Sequence, residues 1–183
     1  MVVVAGGIAR PDVLMRGRAE LADPSGRVRR NAYQAARSLE LDEAAALVDA
    51  AHRIAAERAA VALERTMRDA ADSGAVVRSC GVVVGASGGA RLESILASHA
   101  LAHAAEGRLY QGALLQAAES RGLEPVALPK RSIWDQGESA LRIDREELRR
   151  AIDGLRRELG PPWAEDQKLA ALAAWIALAL GLG

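Results

Sequence analysis

The stretch Ser98-His99-Ala100-Leu101-Ala102-His103-Ala104-Ala105-Glu106-Gly107 holds the side chains best suited to chemistry. His99, His103 and Glu106 stand at i, i+4 and i+7, so all three project from one face of a helix. Neutral imidazoles one turn apart can bind a divalent metal, and a carboxylate one turn further on supplies a third ligand. The same residues suit general acid–base work, because imidazole titrates near neutral pH. The spacing matches no zincin helix, and the solvent side of an alanine-rich helix would show the same three letters. His52, alone on an earlier helical stretch, is read as structural.

A second pattern is Gly85-Ala86-Ser87-Gly88-Gly89, which fits G-x-S-x-G between an apolar strand and a helix. An α/β-hydrolase then needs an acid and a histidine further along the chain. The three histidines are His52, His99 and His103, and none lies beyond residue 103. A glycine-permissive turn, or a phosphate cradle at a helix N-terminus, fits the same letters. Further on, Glu165 and Asp166 open the last helix, where acids complement the helix dipole. The Arg149-Arg150 and Arg156-Arg157 pairs lie among glutamates and read as a solvated face.

The chain that must position these groups has 183 residues, enough for a single domain over 1–183 with a real core. Half of it is apolar, dominated by alanine, leucine and valine with no phenylalanine, a composition suited to closely approaching helices. Formal net charge is zero, so no global field draws in nucleic acid or an anionic membrane. Lys130 and Lys168 are the only lysines, which reads first as base-composition bias. Cys80 is the single cysteine, which leaves no intramolecular disulfide or cysteine metal cluster and reads as a buried thiol. The N-terminus MVVVAGG lacks a basic region and is too short for a signal peptide. The apolar run Leu169 to Gly183 covers about 15 residues, where a spanning helix needs roughly 20. The expectation is a soluble, cytoplasmic protein.

Strands come first. Val2 to Val4 is an apolar run closed by Gly6-Gly7 and a turn at Arg10-Pro11-Asp12; Val13 to Leu21 alternates with period two. Asp23-Pro24-Ser25-Gly26 is a turn, and a weaker strand is expected around Arg27 to Tyr33. A long helix follows from about Asp42 to Asp72, its stripe set by Leu47, Ile54 and Val61 with Val48, Ala51, Ala55 and Ala62. Ala75 to Val84 is a strand whose Val82-Val83-Val84 end, apolar on both faces, suits a central position. Leu92 to about Arg121 is helical, with a break expected at Gly107, and Gly122 caps it. Leu123 to Leu128 is a strand, Arg131 to Leu141 an irregular connection, and Asp144 with Glu147 a capping box. Leu148, Ile152, Leu155 and Leu159 form that helix's stripe; Gly160-Pro161-Pro162 stops it, and Trp163 begins the terminal helix. The order argues an α/β fold: a mixed sheet that begins with antiparallel strands, continues by strand–helix alternation, and is flanked by helices.

That layout resembles the ribonuclease H-like superfamily, and within it the Holliday-junction resolvases. Arg121-Gly122-Leu123-Glu124-Pro125-Val126-Ala127-Leu128-Pro129 is similar to their helix–strand step. The segment Trp163-Ala164-Glu165-Asp166-Gln167-Lys168-Leu169-Ala170-Ala171-Leu172-Ala173 is similar to their acid-bearing last helix. The resemblance implies two metal ions held by carboxylates that activate water and stabilise the leaving oxygen. Glu165 or Asp166 matches the last of those acids; VVVAGGIA and VVVG carry none at the two earlier places.

The leading expectation is therefore a divergent ribonuclease H-like domain with a metal or acid–base site acting on a phosphoester. His103, Glu106 and Asp166 are its candidate catalytic residues, and His99, His103 and Glu106 its candidate ligands for a divalent metal. The alternative is a non-catalytic scaffold or interaction protein, homo-oligomeric through alanine-rich helices. A serine hydrolase using Ser87 ranks third, and whether the chain is an enzyme at all stays open.

Overall fold

The computed structural model describes residues 1–7, 10–86 and 88–181. The opening apolar run forms β1 (Val2–Gly7), antiparallel to β2 (Arg10–Arg16), with Val2 opposite Arg16 and Gly6 opposite Pro11. The expected turn at Arg10-Pro11-Asp12 is thus inside a strand, which ends at Arg16 rather than Leu21. Pro11 is tolerated because it sits next to the strand's start, where a missing N–H costs the ladder little, and it is fully buried. Asp23 does make the expected turn, its carboxylate accepting from the N–H groups of Ser25 and Val28 at 2.9 Å each.

No strand forms over 27–33. Instead Ala32–Ala36 is a short helix, α1, with Ala32, Tyr33 and Ala36 buried. Tyr33 docks edge-on against His52, its hydroxyl 3.0 Å from Nε2, which gives His52 the structural role its isolation suggested.

The long helix α2 (Leu41–Asp72) is where it was expected, and Val48, Ala51 and Ala55 of the expected stripe are buried, but the stripe is centred on them rather than on Leu47, Ile54 and Val61. Its inward residues are Ala44, Val48, Ala51, Ala55, Ala59, Leu63 and Ala70, whereas Val61 is 66% exposed. Steps of three and four residues between alanines keep one narrow stripe in line, and small side chains let a neighbouring helix approach closely. That neighbour is α4 (His99–Glu119), which turns Ala102, Ala105, Leu109, Ala113 and Ala117 inward. The helical region breaks at Ser98 rather than Gly107: α3 (Leu92–Ala97) ends there in extended backbone. Ser98 caps α4, its Oγ accepting from the Leu101 N–H at 3.3 Å.

The strand β3 (Ser79–Val84) pairs in parallel with β4 (Glu124–Pro129), Ser79 opposite Glu124 and Val84 opposite Pro129. Gly122, at φ 71°, makes the left-handed step from α4 into β4. The supposed connection after β4 is a helix, α5 (Ile133–Leu141), with Ile133, Gly137 and Leu141 buried at four-residue intervals. Asp144 opens α6 (Arg145–Gly154) by accepting from the N–H groups of Glu146 and Glu147. The short α7 (Arg156–Leu159) and the Gly160-Pro161-Pro162 stop follow, and α8 (Glu165–Gly181) starts two residues later than expected.

The fold is mixed α/β, but the single mixed sheet that was expected does not form: among the described residues there is one antiparallel and one parallel two-stranded sheet, with α8 packed on both and α4 on the parallel one. One apolar cluster lies among α1 to α4; the other joins α5, α6 and α8 to β4, with Trp175, Leu172 and Ile176 buried at its centre. The β3–β4 ribbon runs between them, Cys80 packing on the first cluster and Val83 on the second. The terminal helix packs on both β1 and β3. At β3 the approach is so close that a Cβ on Gly81 would lie 2.2 Å from the Ala173 carbonyl oxygen. No described helix is long and apolar enough to cross a membrane.

Candidate functional site

The helix α4 presents His99, His103 and Glu106 on adjoining turns as the spacing required, but their heads have different surroundings. Glu106 is buried, and its Oε1 accepts from the Gln34 N–H at 3.1 Å. Helix starts leave orphan donors, and Asn31 makes no side-chain cap to α1. The Glu106 carboxylate therefore caps α1 from a neighbouring helix. Its Oε2 is buried without a protein partner. Burial raises the Glu106 carboxyl above its ordinary range, opposed by the N–H groups of Gln34, Tyr33 and Ala32 and by the nearby His103.

The two histidines are exposed. His99 Nδ1 lies 3.5 Å from the Arg37 guanidinium, a cation at the face a metal would need. Arg37 is itself anchored to the Leu96 carbonyl at 3.0 Å, and Gln34 donates to the His99 carbonyl at 3.1 Å. Among the described residues, no three His, Cys, Asp or Glu side chains gather so as to hold a metal ion.

Asp166 opens on a different place. A cavity of about 660 Å³ lies between β1 and β3, with α2 and α4 contributing to its walls along with α8. Val3, Leu14, Leu63, Val82, Leu114 and Leu178 give it apolar walls, and Gln111, Lys130 and Asp166 bring polar groups. Gln111 is fixed by accepting from the Gly85 N–H at 3.1 Å, and the Lys130 N–H donates to the Val84 carbonyl at 2.9 Å. Both therefore stand where β3 ends. Neither Lys130 nor Asp166 forms an ion pair among the described residues. Glu106 lies five residues before Gln111, about 140° around α4 from it. The candidate catalytic residues His103, Glu106 and Asp166 are accordingly divided, with Asp166 on the cavity and Glu106 turned toward α1.

Cys80 also lines the cavity, and burial pushes its thiol up, away from the reactive thiolate. The serine of the G-x-S-x-G pattern, Ser87, lies outside the described residues.

The cavity was not anticipated, although one signal for it was visible. Residues 2–5 and 82–84 are apolar at successive positions, as in strands covered on both faces and flanked on both edges. Each of these strands nevertheless has one hydrogen-bonded neighbour, and residues of both line the cavity. No protein-family model matches the chain, and no curated protein or solved structure matches it.

Proposed function

We propose that this chain is a non-catalytic interaction module of ribonuclease H-like layout that takes an extended apolar peptide segment between β1 and β3. The observation that carries this reading is the pair of strand edges lining one cavity. Successive residues Val2 to Gly6 and Arg78 to Val83 border it, so backbone edges face it as well as side chains. Unpaired edge N–H and C=O groups are a template for another strand. A strand in a layered fold fills about 160 Å³ per residue, from ~3.3 Å rise, ~4.8 Å strand spacing and ~10 Å layer spacing. A 660 Å³ cavity therefore suits about four residues of extended chain.

Amide hydrogen exchange tests this directly. In the free protein, amides of β1 and β3 on the cavity side exchange quickly, while those in the β1–β2 and β3–β4 ladders are protected. A capped, valine-alternating hexapeptide slows the first set, and the same peptide N-methylated at alternate amides does not. Protection of both edges in the free protein would mean that β1 and β3 pair with each other, and the reading fails.

One observation favours a second reading, phosphoester hydrolysis: Asp166, one of the two residues that match the last acid of the resemblance, shares its cavity with Lys130 at the end of β3. This reading expects cleavage of bis(p-nitrophenyl) phosphate with magnesium or manganese, lost in Asp166→Asn and retained in Glu106→Gln. The absence of turnover with either metal rejects it.

A further inference from the structure

We infer that the cleft where β2 meets α6 and α7 is a binding site for a diphosphate group, free or carried on a small molecule. Its volume is about 310 Å³, and Arg10, Arg150 and Arg157 are among the residues that line it. Pro11, Ala151, Gly154 and Leu155 supply the uncharged part of its lining. A Cβ built on Gly154 would meet nothing within 4 Å, so the backbone there is open to a ligand.

The charge is not balanced locally. Among the described residues Glu158 is the single acid lining the cleft, and it is already engaged with Arg10 at 2.5 Å. Three arginines and one glutamate leave a formal excess of two positive charges, which suits a multiply charged phosphate anion. The nearby acid Asp153 is held by Lys168 at 2.7 Å.

The neighbouring arginines show what structural employment looks like in this part of the fold. Arg145 pairs with Asp135 and Glu138, and Arg149 lies over the Trp134 ring at 5.0 Å. Arg16 donates to the carbonyls of Leu159, Gly160, Pro161 and Pro162. Arg150 and Arg157, by contrast, form no ion pair among the described residues. Arg150 is tethered only through Nε, to the Glu146 carbonyl at 3.3 Å, which leaves its two terminal nitrogens to donate. Arg150 and Arg157 stand seven residues apart along α6 and α7, about two helical turns, and line one cleft, so two planar forks with free donors are suited to bidentate contacts with phosphate oxygens. The competing explanation is that cations simply complement the C-terminal carbonyls of α6, and that role predicts stability without ligand binding.

Titration calorimetry of the full chain with inorganic pyrophosphate decides between them, with sodium chloride at matched ionic strength as the blank. The expected result is saturable one-to-one binding that weakens at least tenfold in the Arg150→Gln, Arg157→Gln double variant. A control carrying Arg18→Gln and Arg65→Gln, exposed arginines elsewhere, binds as the parent does. Arg150→Lys, which keeps the charge and loses the fork, guards against a folding defect and weakens binding by less than the glutamine variant. Adenosine diphosphate separates the two sources: equal affinity assigns a free diphosphate, and tighter binding assigns a carried one with its base on the uncharged part of the lining. No saturable heat with pyrophosphate, or equal weakening in the control variant, overturns the inference.

Discussion

Glu106 shows how one side chain can be conspicuous in the sequence for one reason and important in the structure for another. Burial holds its folded-state carboxyl above the ordinary value near 4.5, so the folded protein keeps this proton longer than the unfolded chain does. The group's contribution to stability is full below about pH 4.5 and is lost as pH rises through the folded value. Glu106→Gln keeps an acceptor for the Gln34 N–H and removes the titration. Urea midpoints should therefore shift in favour of the glutamine variant between pH 4 and pH 8; the opposite trend would show that the ionised cap is the stabilising form. Glu106→Ala abandons the part-buried Gln34 N–H and should cost about 1–3 kcal/mol at both pH values. Two glycines separate close backbone approach from ordinary crowding. Gly81→Ala drives a methyl group into the Ala173 carbonyl and should cost about 3 kcal/mol or more, with β3 and α8 forced apart. At Gly137 the nearest atom is a Leu148 methyl group at 2.8 Å, which can turn away, so Gly137→Ala should cost about 1 kcal/mol. Chemical denaturation reads both.

Among the elements, the junction between α7 and α8 depends on a residue far away in the chain. Arg16 reaches from β2 to four successive carbonyls at 2.5–3.1 Å, satisfying the end of α7 and the glycine–proline stop together. Arg16→Met should cost about 2 kcal/mol in denaturant unfolding, and Arg16→Lys should recover less than half, since an ammonium cannot fork across four acceptors. Equal stability of the lysine variant and the parent would mean that charge alone matters there. Helix types and caps were largely legible: α2, α6, α8 and the Gly122 exit follow from periodicity and capping residues. Two elements were not. Ala32–Ala36 and Ile133–Leu141 are short, and isolated short helices are marginal in water. They form because Tyr33 has His52 to rest against, and because Ile133 and Leu141 reach the cluster around α8.

For the whole molecule, the consequence is that two half-sheets share one helix layer without sharing a ladder. The terminal helix packs on both β1 and β3, and its buried residues on the core side, Leu172, Trp175 and Ile176, hold the second cluster. Its cavity-facing residues Ala170 and Ala174 are small, which keeps the space between the strands open. Ala174→Leu should fill part of that space, raising the thermal midpoint by a degree or more and abolishing the effect of the hexapeptide on β1 and β3 exchange. A loss of stability instead would show that the cavity closes around a smaller space. The alanine stripes of α2 and α4, candidates for self-association, are already spent against each other inside the protein.

By itself the sequence determined what depends on neighbours a few residues apart: the long helices, the hairpin-like start, the parallel strands around α4, and the shared face of His99, His103 and Glu106. These follow from period, cap and turn chemistry. Only the tertiary structure decided where each polar head points. Spacing places side chains on a helix face, but the partner of that face is set by packing between distant segments. Glu106 thus turns toward the start of α1, Asp166 opens on the cavity, and Arg150 and Arg157 meet Arg10 across more than a hundred residues.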